Sequence, residues 1–298
     1  MSTILESIFE LNQVKELKEA LKVNRPFVAH NLSFIHDVLS KKAHLQSLPS
    51  LINQWPAKVD VHLPDASDEI STLEVNSTDA YKMYLNKMGL LFNHIERYDD
   101  EYNELLFAFM MALGFSKQSF ARALVYATPE GGGTATHFDQ NINLIFQLKG
   151  KKRWWIAQNE TFINPLTRHT LHQELDPELA SYQEAPLPEK MPEDAQEILL
   201  EAGSFLFLPR GCWHKTSGEE DALALNFTYT VPTWIDLFGA AIRGRLSGDP
   251  KWRESAIGFD DLNTSSEAEK KFDELLDEFK SEFTHWQAAQ ILGVTEGN

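Results

Sequence analysis

Apolar residues recur at helical spacing through the first 22 residues, where Ile4, Ile8, Leu11, Val14, Leu17 and Leu21 fall roughly on one side of a helix. Asn24-Arg25-Pro26-Phe27-Val28 then reads as a short strand entering a domain. Helical periodicity returns around residues 34–45, 78–89 and 101–113, and residues 57–63 between them alternate as a strand does. The pattern then changes. Residues 123–127, 142–147, 153–157, 204–208 and 223–230 are short runs rich in β-branched and aromatic side chains. Pro129 with Gly131-Gly132-Gly133, then Gly150, Gly203, and Pro209 with Gly211, punctuate them. Short strands parted by Gly/Pro turns predict a sandwich or barrel, not alternating strand–helix units. Residues 159–195, rich in Pro, His and Glu, read as a long insertion between strands, the kind of segment that shapes a binding site. Beyond Pro232 helical patterns resume over 234–247 and, strongly charged, over 265–291. The expected organisation is an N-terminal helix-and-strand elaboration over 1–120, a barrel core over 121–233 carrying the insertion, and a C-terminal helical region over 234–298.

Composition adds bounds to this picture. A chain of 298 residues with 43% hydrophobic content can bury a sizeable core, and its length suits one large domain with helical additions. No stretch approaches the roughly 20 apolar residues of a membrane span, so no membrane association is expected. The first 21 residues lack a basic start and a continuous apolar block, and read as an amphipathic helix instead of a signal peptide. Cys212 stands alone, which excludes an internal disulfide and fits a reducing compartment; a cytosolic location is expected. The formal charge is −17. Such a surface repels phosphate backbones and attracts a basic protein or peptide, though plain solubility also accounts for it.

The candidate chemistry lies in His137-Phe138-Asp139. Side chains at i and i+2 of a strand share a face, so both can reach one ion. His214 follows Pro209-Arg210-Gly211, a turn that would aim it back at the same point. Two histidines and one carboxylate form the facial triad of non-haem iron(II), which leaves positions open for oxygen and substrate. A lone His-x-Asp is common by chance. Here it follows a Gly-rich turn and precedes an apolar strand, and a Pro-x-Gly-x-x-His element lies downstream, a far more specific combination. His62, His94, His169, His172 and His285 have no such setting and are taken as surface or substrate-side residues.

At Pro129–Gly133, His137–Gln140, Gly150–Trp154, Leu200–Gly211 with His214, and Asn226–Tyr229, the sequence resembles the JmjC-type, cupin-like 2-oxoglutarate oxygenases, the ribosomal oxygenase branch above all. The asparaginyl hydroxylase acting on hypoxia-inducible factor shares this skeleton. The resemblance covers about residues 120–235. It implies a mainly β fold, a double-stranded β-helix (jelly-roll) barrel with flanking helices. It also implies His137, Asp139 and His214 as ligands of Fe(II), and Lys152 as the partner of the distal carboxylate of 2-oxoglutarate. Thr134, Asn143 and Asn226 match polar positions of the cosubstrate pocket. Chemistry independently favours Lys152, because burying one end of a dianion needs a cation. The implied reaction couples decarboxylation of 2-oxoglutarate to hydroxylation of a C–H bond, with a protein or peptide side chain as the expected target. Ribosomal oxygenases follow the barrel with a helical dimerisation region and then a winged helix. The residues after Pro232 suffice for the former, so a homodimer through the C-terminal helices is expected without a full winged helix. Two other readings stay open: a metal-dependent cupin acting on a small molecule without 2-oxoglutarate, and a non-catalytic peptide-binding barrel.

Overall fold

The N-terminal amphipathic stretch is two helices, α1 (Ile4–Ile8) and α2 (Leu11–Lys22), in a computed structural model that describes residues 3–62, 72–258 and 265–289. The break falls where Phe9 turns extended and Glu10 starts the next helix with a capping box, its own amide donating to Gln13 Oε1 at 3.0 Å. Strand β1 (Phe27–Ala29) follows. The helix expected over 34–45 is instead α3 (Ser33–Asp37) and two 3₁₀ turns, Leu39–Lys41 and Ala43–Leu45. Ser47 then caps α4 (Leu48–Gln54) by accepting from the Ser50 amide. Next come β2 (Val59–His62), β3 (Thr72–Val75), α5 (Ser77–Leu85) and β4 (Gly89–Asn93). Helix α6 (Asp100–Leu113) starts on an Asp99 cap and stops at Gly114, whose φ of 75° only glycine adopts readily.

The central strands are β5 (Phe120–Thr128), β6 (Gly133–Phe138), β7 (Ile142–Lys149) and β8 (Lys152–Ala157). The insertion contributes β9 (His169–Thr170) and α7 (Pro177–Ser181). Strands β10 (Gln196–Leu200), β11 (Phe205–Leu208), β12 (Trp213–Gly218) and β13 (Ala222–Thr230) complete the set. All pairings are antiparallel. One sheet runs β1-β11-β7-β13-β5-β4-β2-β3, the other β10-β8-β12-β6-β9. Because strand side chains alternate, the larger sheet has two interiors. Leu144, Phe146, Phe205, Phe207, Leu225, Phe227 and Tyr229 pack with Leu5, Leu17, Ile35 and Phe109 of the helices. From the opposite face, Ile145, Leu206, Leu208 and Ala224 meet Trp154, Ile156, Ile198 and Leu200 of the smaller sheet. The result is a jelly-roll-like pair of facing antiparallel sheets with flanking helices. Among the described residues no strand pairing closes it into a continuous barrel.

By its contacts the chain divides into Met1–Phe115 with Ser119–Val231, and Ser116–Gln118 with Pro232–Asn298. The second unit holds α8 (Trp234–Leu246) and α9 (Ser265–Phe283). Its helices meet through aromatic edges, Phe238 on Phe283 at 5.8 Å and Trp252 on Phe272 at 6.3 Å, and through Lys251 paired with Glu278 at 2.7 Å. The helix expected to reach residue 291 ends at Phe283, and residues 290–298 lie outside the described part. No helix of the described residues is long and apolar enough to cross a membrane.

Candidate metal centre and its pocket

His137 near the end of β6 and His214 at the start of β12 are directly paired residues of one ladder. Their rings lie 4.1 Å apart. Asp139 sits one residue beyond β6, with Oδ2 3.9 Å from Nε2 of each histidine. One ligand atom from each of the three falls within 4.8 Å of the others. Both imidazoles are oriented from behind. His137 Nδ1 lies 2.8 Å from the Ala135 carbonyl, and His214 Nδ1 lies 3.0 Å from that of Cys212. A carbonyl oxygen only accepts, so Nδ1 carries the proton and donates, and each Nε2 keeps its lone pair for a metal. Turn geometry holds Asp139 close: the Gly211 amide donates to the Asp139 carbonyl at 2.7 Å. Gly211 has φ 83°, and a Cβ there would come within 2.7 Å of Pro165.

Backbone register decides which neighbours share this face. His214 pairs with His137, and Thr216 with Thr134, so between these pairs one residue of β12 opposes two of β6. The irregularity is a β-bulge, which re-aims side chains near a site. It turns Thr134 inward although its spacing from His137 is odd, and Thr134 Oγ1 lies 2.9 Å from Thr216 Oγ1. Across the gap, β7 and β13 present Asn143, Asn226 and Thr228. Asn143 Oδ1 accepts from Asn226 Nδ2 at 3.2 Å and from Thr228 Oγ1 at 2.8 Å. Lys152, first residue of β8, is 5% exposed, with Nζ 5.6 Å from the Tyr126 ring centre and 5.4 Å from that of Trp154. Trp154 in turn stacks on His214.

All seven expected site residues line one cavity of about 410 Å³. Several further residues line it: Thr216, Thr228, Tyr126, Arg122 and Arg168, with Asp60 and His62 from β2 and Asn93 from β4. Thr216 and Thr228 carry a readable signal, since each lies two residues beyond an expected site residue on the same strand. Arg168 carries none until β9 is known. The other histidines separate. His62 stacks on Tyr126, His94 bonds Glu96, and His172 and His285 are exposed. His169 corrects its expected surface or substrate-side placement: it is buried in a small core with Phe138, Phe162, Leu171 and Trp213, because β9 pairs with β6 at Phe138.

Facing antiparallel sheets with two histidines and a carboxylate converging between them define a jelly-roll protein with a candidate metal centre. Residues 102–237 match the family model described as the JmjC domain. The chain is 34% identical to the uncharacterised protein YxbC of Bacillus subtilis over 197 residues, 65% of this chain and 60% of that one. It is 32% identical to ribosomal oxygenase 1 of Gallus gallus over 144 residues, 46% of this chain but 22% of the relative. The chain thus spans less than two thirds of the length of these relatives. Among solved structures, YcfD, a ribosomal oxygenase from Escherichia coli in complex with cobalt and succinic acid, superposes with a TM-score of 0.52 at 16% identity. That match covers 97% of this chain and 70% of the other, and speaks for a shared fold.

Proposed function

We propose that this protein is an Fe(II)- and 2-oxoglutarate-dependent oxygenase that hydroxylates a C–H bond on a protein or peptide side chain. The observation that carries the reading is one cavity holding both a His-Asp-His cluster, its ligand atoms within 4.8 Å of one another, and a buried lysine. An N₂O donor set of this kind suits Fe(II), with His137, Asp139 and His214 as its ligands. When bound, iron with 2-oxoglutarate supplies the activation of O2 that an unreactive C–H bond requires. The chain's own residues do the rest. Lys152 binds the distal carboxylate, a charge-assisted contact strengthened by exclusion of water behind Trp154 and Tyr126. Trp154 Nε1–H and Asn226 Oδ1 are buried without a hydrogen-bond partner among the described residues, a donor and an acceptor available to a polar ligand. Thr134, Asn143, Thr216 and Thr228 hold the remaining polar wall in place. The net charge of −17 favours a basic protein or peptide as substrate and disfavours bulk nucleic acid. A cytosolic location and a homodimer through the C-terminal helices belong to the same reading.

The test is succinate release from 2-oxoglutarate with Fe(II) and ascorbate, wild type against Lys152→Met. The reading expects turnover by the wild type that the variant loses at low cosubstrate concentration. No succinate, together with no 2-oxoglutarate binding by calorimetry, would return the site to a cupin without this cosubstrate. A product one oxygen heavier, found by mass spectrometry in extracts supplied with enzyme, iron and 2-oxoglutarate, would identify the substrate.

A further inference from the structure

Arg168 belongs to the insertion, yet it ends beside the carboxylate of the triad. The path is set by backbone pairing. Strand β9 adds to the edge of β6 with Thr170 opposite His137 and His169 opposite Phe138. One more step of that antiparallel register brings residue 168 opposite residue 139. The side chains meet there, Arg168 Nε lying 3.4 Å from Asp139 Oδ1 with both about a quarter exposed or less (23% and 22%). The insertion that delivers Arg168 is also tied to the turn before His214. Arg210 Nη2 donates to the carbonyls of Asn164 and Pro165, each at 2.9 Å. Pro165 in turn occupies the space that a Cβ on Gly211 would need.

The two oxygens of Asp139 therefore have different partners. Oδ1 faces the guanidinium, whereas Oδ2 faces Nε2 of both histidines at 3.9 Å. A free carboxylate beside a metal can rotate or bind through both oxygens. Pairing one oxygen with a rigid planar cation restrains the torsion and leaves a single oxygen for the ion. Ligating carboxylates depend on such outer partners, whose loss costs about 10–100-fold in metal affinity.

We propose that Arg168 is a positioning residue that holds Asp139 in a one-oxygen binding mode, so that the insertion completes the metal centre of this chain. The inference rests on the metal-binding reading above. It adds that a segment outside the barrel strands sets the geometry of the carboxylate ligand.

Co(II) titration of the metal-free full chain, followed by its visible d–d absorption, tests this without any turnover. Arg168→Ala should weaken Co(II) binding by about 10–100-fold and change the band shape, and Arg168→Lys should fall between it and the wild type. Guanidinium chloride at low millimolar concentration should restore part of the affinity of Arg168→Ala, an effect that general loosening of the insertion would not give. Should Arg168→Ala fail to fold, judged by near-ultraviolet circular dichroism, Arg168→Gln and Arg168→Lys carry the same comparison. Wild-type affinity and an unchanged band in the folded variants would overturn the inference and leave the metal reading standing. A wild type that does not bind Co(II) would overturn both, and His137→Ala supplies the baseline that tells these cases apart.

Discussion

On β7 and β13 consecutive side chains enter two different worlds. Phe146, Phe227 and Tyr229 point to the helices and are fully buried, with Phe146 and Phe227 ring centres 5.4 Å apart and Phe227 5.8 Å from Phe109. Asn143, Asn226 and Thr228 on the opposite face are almost as inaccessible, at 6%, 7% and 4%, but they bond chiefly to one another. Burial therefore does not distinguish the faces; what is buried does. A large aromatic in a packed core is worth several kcal/mol, about 3–5 on truncation to Ala. A buried hydrogen bond between neutral groups nets only about 0.5–1.5 kcal/mol. The helix-facing side holds the sheet together, and the pocket-facing side gives up apolar contact to keep polar groups where a ligand can use them.

The strongest way to break this contrast is His137→Ala. Metal binding should disappear, because Asp139 and His214 alone leave two donors. The urea midpoint of the metal-free protein should move little, since the His137 imidazole is held by a local bond, to the Ala135 carbonyl two residues away. If instead His137→Ala unfolded the chain, the pocket face would be as structural as the other. Phe227→Ala is the mirror experiment. It should cost about 3–5 kcal/mol in urea unfolding. In whatever fraction stays folded, Co(II) affinity should match the wild type.

The same two faces explain what could be read from the sequence. Strands β5, β7, β11 and β13 were legible because they are buried on both sides and so read as apolar runs between Gly or Pro turns. The His-x-Asp and the later His were legible because metal ligation demands particular residue types at i and i+2 on a strand. Other elements left weak traces. Strand β10 starts at Gln196-Glu197, both exposed, in a Pro- and Glu-rich setting, and β9 is two residues long. Both depend on tertiary pairing, with β8 and β6. The break in residues 34–45 is another tertiary effect, since Ile35, Leu39 and Leu45 are all completely buried while the chain turns between them. Thr216 and Thr228 were within reach of the alternation rule. Thr134 shares the face of His137 only through a bulge, and Arg168 reaches Asp139 only through a pairing that two residues cannot announce.

Lys152→Met sharpens the comparison at intermediate size. Methionine retains much of the apolar stem that packs by Tyr126 and Trp154 but removes the charge, so the fold should tolerate it. Apparent affinity for 2-oxoglutarate, read by calorimetry with Co(II) bound, should fall by a factor on the order of 10–100, the equivalent of about 1.4–2.8 kcal/mol for one charge-assisted contact. An unchanged affinity would move the anchor for the distal carboxylate elsewhere in the cavity.

The smallest effect concerns a buried polar side chain that lies outside the cavity. His169 is 4% exposed, its Nε2 has no hydrogen-bond partner among the described residues, and burial lowers its pKa from the ordinary 6.5. The native state therefore takes up this proton less readily than the unfolded chain, which does so once pH falls below about 6.5. With the folded value depressed, the unfolded state binds more protons in that range, and stability must fall as pH falls. The stabilisation is complete above pH 6.5 and declines as pH drops below it. His44 is shifted the same way by burial, so the total pH dependence cannot be assigned to one residue. The difference can. Between pH 7.5 and 5.5 the urea midpoint of the wild type should drop more than that of His169→Phe, whose ring suits the surrounding Phe138 and Trp213. Parallel declines in the two proteins would mean that the insertion core accepts a protonated histidine. In that case its burial would resemble the pocket face, where polarity is accommodated, more than the helix face, where it is excluded.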